Sequence, residues 1–203
     1  MHCEKIVKKE QIIAGVDEAG RGCLAGPVVA GAVILPSIFP KVLLRDSKIL
    51  TEKVREQAYA WIIEHCDYGI GMCSAVEVDT MGIKKATHVA MQKAVHMLTK
   101  TPEVLWIDGR DNFVFDIVSK DFVKGDARFA CIAAASIVAK VTRDAIMKEY
   151  DKKFPTYGFV RHKGYGTKQH REAIKRYGVC DIHRRSYEPI KTWEKKKRKD
   201  CSQ

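Results

Sequence analysis

No stretch of this 203-residue chain approaches the roughly 20 consecutive apolar residues that a membrane-crossing helix needs. The opening segment, Met1 to Gln11, is polar and mixed in charge, so it lacks the apolar core of a secretory leader. None of the seven cysteines forms a C-x-x-C pair, which removes the usual signature of a zinc site or a redox motif. Their odd number, without a leader, points to free thiols in a reducing cytoplasm. Internal repeats and long linkers are also missing. A hydrophobic share of 46% beside 30% charged residues excludes a wholly disordered or collagen-like chain and supplies one domain with a real core.

Acid is the component in short supply. Lys and Arg number 36 against 25 Asp and Glu, a net charge of +11. Residues 1–160 hold 22 basic and 20 acidic side chains, whereas residues 161–203 hold 14 and 5. The positive field therefore belongs to the last fifth of the chain, and an acidic polymer such as nucleic acid is the partner it suits. The run Lys195–Lys199 reads as a solvated basic tail. The basic residues between Arg161 and Arg185 are interleaved with Gly, Tyr and His and read as a shaped surface.

Hydrophobic periodicity predicts strands over Ile12–Asp17, Val28–Leu35, Tyr68–Val76, Val104–Ile107 and Ile117–Val123. It predicts helices over Thr51–His65, from an Asp79 cap to about Leu98, over Ala127–Lys152, and over Thr167–Tyr177 with Thr167 as cap and Gly178 as stop. In the second helix Ile83, Ala86, Ala90, Ala94 and Met97 form the expected buried stripe. Pro36 to Ser47 reads as a loop. Strands mixed with helices imply an α/β fold, one sheet flanked by helices.

Three apolar runs lead into acids: Ile12–Val16 into Asp17-Glu18, Val104–Ile107 into Asp108, and Phe122–Gly125 into Asp126. Acids follow strands commonly because turns favour Asp. If these three strand ends meet at one sheet edge, however, four carboxylates converge. Such a cluster repels itself and favours divalent cations, and hard oxygen donors select Mg²⁺ or Mn²⁺ over zinc. Two such ions are the machinery of phosphodiester hydrolysis. Neighbours on a regular strand face opposite ways. Asp17 and Glu18 therefore share one site only at a strand end or bulge, or if one acts through its backbone.

Between the first two strands lies Gly20-Arg21-Gly22-Cys23-Leu24-Ala25-Gly26-Pro27. Its third glycine falls one place too late for a dinucleotide fingerprint, and a strand rather than a helix follows. The alternative is that the glycines bring backbone N–H groups close to a sugar or phosphate, with the Arg21 fork adding donors.

These residues carry a family resemblance. Asp17-Glu18-Ala19-Gly20-Arg21-Gly22 with Gly26-Pro27-Val28-Val29-Ala30 resembles the opening of bacterial ribonuclease HII, the type 2 ribonuclease H. So do Asp46-Ser47-Lys48, Asp108-Gly109, Lys124-Gly125-Asp126, Ala133–Lys140 followed by Arg143-Asp144, His162–Thr167 and Ile182–Ser186, in family order over about residues 12–190. The resemblance implies a ribonuclease H-like fold, a central mixed sheet flanked by helices with a C-terminal helical part. It implies a single catalytic domain over 1–203, with 191–203 as the basic tail. It implies an Mg²⁺- or Mn²⁺-dependent endonuclease; beside it, the cysteine usage and hydropathy above carry the expectation of a cytoplasmic protein without membrane association, taken to be a monomer. Its substrates would be the RNA strand of RNA–DNA hybrids and duplex DNA carrying single ribonucleotides, cut on their 5′ side to leave 5′-phosphate and 3′-hydroxyl ends.

By the same resemblance Asp17, Glu18, Asp108 and Asp126 are the metal-binding and catalytic acids. Gly20, Arg21 and Gly22 read the 2′-hydroxyl, Tyr165 packs on the adjacent deoxyribose, and Ser47 and Lys48 lie near backbone phosphates. Lys163, Arg184 and Arg185 fall on the substrate side, in blocks whose roles are less defined. Ser136 and Lys140 lie on the helix after Asp126 and are placed near the site. Asp111 and Asp116 are additional acids in the short segment before Lys124. Type 3 relatives carry an extra N-terminal domain and lack the arginine of the glycine loop. Arg21, and only eleven residues before the first strand, point to type 2.

Overall fold

The computed structural model describes residues 11–40 and 50–200, with side chains to residue 196. Ser47 and Lys48 lie outside the described residues, as does the second half of the Pro36–Ser47 loop.

Ile13–Ala19 (β1) is buried on both faces from Ala14 to Asp17, the mark of a central strand. Val28–Ile34 (β2) pairs with it antiparallel, and Asp67–Cys73 (β3) pairs antiparallel with β2. On the other side Val104–Asp108 (β4) runs parallel to β1, and Val118–Phe122 (β5) parallel to β4. The order β3-β2-β1-β4-β5 is the mixed sheet expected from the sequence.

One sheet face, with Ala14, Val16, Ala30 and Ala32, packs on Ile83–His96 (α3) through Ala86, Ala90 and Ala94. The other face receives Ala130–Lys153 (α4), whose Ala134, Ala135 and Val138 pack with Val33 and with Ala58 and Ile62 of Glu52–His65 (α1). The alanine run lets α4 lie directly on β1. A Cβ on Gly15 would collide with the backbone of Cys131, so only glycine permits that approach.

The expected long helix from Asp79 is two helices. Ala75–Met81 (α2) is capped by Ser74 in a capping box with Glu77, and the chain breaks at Gly82 before α3 begins. Asp79 therefore caps no helix. Its carboxylate accepts from the backbone N–H groups of Arg185 and Ser186 at 2.7 and 3.0 Å and from the Ser186 hydroxyl at 2.6 Å. Met97 lies past the end of α3 and is 64% exposed rather than buried. The helix expected from Ala127 begins at Ala130, because Gly125–Ala127 forms a separate 3-10 turn.

The C-terminal part consists of Phe159–His162 (α5), Lys168–Tyr177 (α6) and Ile190–Asp200 (α7). Thr167 and Gly178 cap α6 as expected. Leu24, Met147, Phe159, Ile174 and Ile190 form its core. The basic tail begins as a docked helix, with Trp193 against that core and the Lys175 ammonium 5.4 Å from the Trp193 ring, while Lys195 and Lys196 are exposed.

Candidate active site

Three elements bring three carboxylates together. Val16 stands opposite Ile107 in the parallel β1–β4 register, so the next residues, Asp17 and Asp108, are neighbours. Gly15 faces α4, and the two-residue period puts Asp17 on that same face. The Asp108 carboxylate accepts from the Gly125 N–H at 2.6 Å, which ties β4 to the turn that carries Asp126. Asp17, Asp108 and Asp126 each present an oxygen within 4.8 Å of the others. Asp17 and Asp126 are buried. Burial first, then the charges of Glu18 and Asp108, hold the Asp17 carboxyl well above the usual range, against a hydrogen bond from Ser136.

Glu18 is the expected fourth acid, and strand geometry separates it from this group. β1 stays regular through Ala19, so Glu18 points to the α3 face. One of its oxygens lies 3.4 Å from the Arg21 guanidinium, while the other is buried without a hydrogen-bond partner. Burial, partly offset by Arg21, pushes its pKa up to about 7. An all-carboxylate donor set and an orphaned buried oxygen beside it suit a hard divalent cation, which would supply the missing positive charge.

The glycine loop is bolted down by two buried arginines. Arg143 of α4 donates to the carbonyls of Pro27, Ala25 and Lys163 at 3.0, 3.1 and 2.9 Å. Its Nε lies where a Cβ of Gly20 would sit, and Gly20 has φ +93°, so glycine is required there on both counts. Arg184 donates to the Gly26 carbonyl from Nε and one terminal nitrogen, at 3.1 and 2.9 Å, and to the Arg21 carbonyl at 2.8 Å. Backbone bonds from Leu24 to Gly164, from Gly26 to Ile182 and from Arg184 to Leu24 complete the strap.

This corrects one expectation. Arg184 is 0% exposed and its fork is occupied by carbonyls, so it holds the loop and presents no donor at the surface. Arg21 likewise donates to Asp111 at 2.6 Å and to Glu18, rather than extending as a free fork. Gly22 is exposed, with nothing near its missing Cβ. Lys163 is half-buried and its ammonium donates to the Val160 carbonyl at 2.7 Å. Arg185 is exposed and pairs with Glu194 at 2.7 Å. Lys140 pairs with Asp144 at 2.8 Å and stands 6.0 Å from the Tyr165 ring.

Tyr165 is 44% exposed, with the Arg143 guanidinium 5.9 Å from its ring and the Cys23 thiol near its hydroxyl. The ring thus stands against the glycine loop across Arg143. Behind it lie three buried histidines, His162, His170 and His183. Burial pushes His170 and His183 down to about 4. The neighbouring His162 and His183 disfavour charge on His170, and Arg185 and His162 disfavour it on His183, while backbone bonds at Tyr165 and Cys180 act the other way. An unfolded histidine titrates near 6.5. Between pH 6.5 and about 4 the unfolded chain therefore binds protons that the native pair refuses, and these residues withdraw stability as pH falls. Glu18 acts oppositely between 4.5 and about 7, so ring NMR rather than a melting curve isolates the pair. Both rings are expected to remain unprotonated at pH 5; titration of either near 6.5 would refute this arrangement.

Sequence reading places Arg143 within a family block but gives it no role, and it does not foresee the contact of Asp111 with Arg21. Arg143 sits in an alanine-rich helix at no periodic apolar position, and nothing local shows that two distant loops converge on it. Asp111 is an isolated acid in a short loop.

The Ribonuclease HII family model matches residues 14–190. Among curated proteins, Ribonuclease HII of Acetivibrio thermocellus is 52% identical over 178 residues, covering 87% of this chain and 70% of that protein. Ribonuclease HII of Geobacillus kaustophilus is 53% identical over 181 residues, covering 88% and 69%. The crystal structure of ribonuclease H2 from Pyrococcus horikoshii superposes with a TM-score of 0.77 at 28% identity, over 92% of this chain and 99% of that one.

Proposed function

The chain belongs to the ribonuclease HII family of metal-dependent endoribonucleases, and from that premise we propose that it hydrolyses the RNA strand of RNA–DNA hybrids and incises duplex DNA 5′ to a single embedded ribonucleotide. The observation that carries the reading is the meeting of Asp17, Asp108 and Asp126 from β1, β4 and the 3-10 turn, within 4.8 Å. On this reading those three hold the metal, with Glu18 adjoining through its orphaned oxygen or its backbone. Two divalent ions, Mg²⁺ or Mn²⁺, would activate water and stabilise the leaving 3′-oxygen.

The rest is the work of the chain itself. The backbone at Gly20–Gly22 faces the 2′-hydroxyl, and open space at Gly22 admits the sugar. Arg21 screens Glu18 from the incoming phosphate, itself held by Asp111. Arg143 and Arg184 keep the loop and Tyr165 at fixed separation. The basic α5–α7 region supplies phosphate contacts, with exposed Arg185 among them. The enzyme acts as a monomeric cytoplasmic protein with one catalytic domain.

The test is a labelled duplex with one embedded ribonucleotide, beside a long hybrid and an all-DNA duplex, in Mg²⁺ or Mn²⁺. Incision 5′ to the ribonucleotide, leaving a 3′-hydroxyl that a polymerase extends, is expected. No incision, or equal cutting of all-DNA, would sink the assignment.

Tyr165 gives a sharper prediction. An aromatic face packs well on a deoxyribose and poorly on a ribose with its extra hydroxyl, so the ring and the glycine loop together demand a junction. Stacking of this kind is worth about 1–3 kcal/mol by alanine substitution, so Tyr165→Ala should lose roughly tenfold or more on the single-ribonucleotide substrate. The long hybrid should lose much less. Equal losses on both, with circular dichroism unchanged, would mean that Tyr165 does not read the junction.

A further inference from the structure

The buried histidines behind Tyr165 are bonded in a way that fixes every proton. The Cys180 N–H, 2.9 Å from His183 Nδ1, can only donate, so Nδ1 accepts and the His183 proton sits on Nε2. His183 Nε2 is 3.0 Å from His170 Nε2 and must donate to it. His170 then carries its proton on Nδ1, 2.9 Å from the Tyr165 carbonyl, which can only accept. His162 obeys the same logic: the Gly164 N–H donates to its Nδ1 at 3.2 Å, and its Nε2 donates to the Tyr157 carbonyl at 2.9 Å. The His162 and His170 rings stack with centroids 4.4 Å apart.

The two ends of this chain are the two halves of the candidate junction reader. One end holds the backbone of Tyr165. The other is His183, whose backbone forms a bridge with Ala25 of the glycine loop. We propose that His170 and His183 are positioning residues, a two-imidazole relay that sets the Tyr165 loop relative to the glycine loop and so governs discrimination between a single ribonucleotide and a long hybrid. The proposal rests on the reading of Tyr165 given above. A packing role alone would need only the ring shapes. The relay needs one tautomer at each ring and one donor direction, and its pieces come from α6 and from the segment before α7.

Nitrogen-15 NMR of the imidazoles in the intact protein reads the tautomers directly. Nδ1–H on His170 and Nε2–H on His183 are expected; the reverse tautomer at either ring overturns the relay. Cleavage ratios on the single-ribonucleotide and long-hybrid substrates read the consequence. His170→Phe keeps the ring and loses both bonds, and its ratio should fall about tenfold, as for Tyr165→Ala. His183→Gln keeps a donor at the Nε2 position and should stay within about threefold of wild type, whereas His183→Phe should fall with His170→Phe. An unchanged ratio in both phenylalanine variants beside a lowered one in Tyr165→Ala overturns the relay alone. An unchanged ratio in Tyr165→Ala overturns the reading of that tyrosine and the relay with it. Should the phenylalanine variants not fold, the wild-type tautomers and the His183→Gln ratio decide.

Discussion

Asp17→Asn is expected to abolish cleavage while leaving the protein folded and able to bind hybrid. Asparagine keeps the shape and the oxygen that accepts the Glu18 N–H at 2.7 Å. It removes the charge that the cluster needs. A lost metal ligand forfeits several kcal/mol of transition-state stabilisation, and about 4 kcal/mol is about a thousandfold in rate. The substitution should not lower stability without metal, because it removes a buried carboxylate whose charge Glu18 and Asp108 oppose. A metal that binds the native state raises its melting temperature by mass action. Mg²⁺ or Mn²⁺ should therefore stabilise the wild type and have much less effect on the variant. Asp108→Asn should behave similarly, and Asp126→Asn should keep some activity in Mn²⁺. Cleavage by Asp17→Asn within tenfold of wild type would show that this carboxylate is not a ligand of the reacting centre.

Arg184→Ala should injure the fold rather than the substrate contact. The guanidinium is fully buried and donates to the Gly26 and Arg21 carbonyls and, at 3.2 Å, to the Tyr187 hydroxyl. Removing it leaves those acceptors short of partners and a cavity beneath the glycine loop. Breaking a buried charged network of this kind costs about 3–5 kcal/mol. For a chain of this size that is a fall in melting temperature of about 10 °C. Had Arg184 met a phosphate, its loss would have flattened the slope of log affinity against log salt by about 0.9. An unchanged slope with a large thermal loss is expected. The reverse pattern, normal melting and a flatter slope, would return Arg184 to the substrate.

Some of this was legible in the linear chain. Alternating apolar runs, Thr51 and Thr167 caps and the alanine stretch specify strands and helices by local chemistry, and those elements form about where expected. The acids were visible for the same reason, because a carboxylate next to an apolar run is conspicuous whatever the rest of the fold does. Asp79 shows the limit of that logic. As a residue type it suits a helix cap, yet Ser74 and Gly82 place it inside α2, where its carboxylate caps a loop 106 residues away. The convergence of Asp17 with Asp108 depends on a parallel register that pairs residues 91 apart in sequence, and the turning of the Glu18 side chain to the other sheet face depends on β1 staying regular through Ala19. Arg184 and Arg143 have the composition of a nucleic-acid surface. Their burial, and with it their role as bolts, follows from carbonyls delivered by two loops distant in sequence, the glycine loop and the loop at Lys163. Side-chain chemistry and periodicity are properties of neighbours in sequence, and they set the elements and the inventory of reactive groups. Register, burial and hydrogen-bond partners are properties of neighbours in space, and only the folded chain decides which of those groups face the substrate.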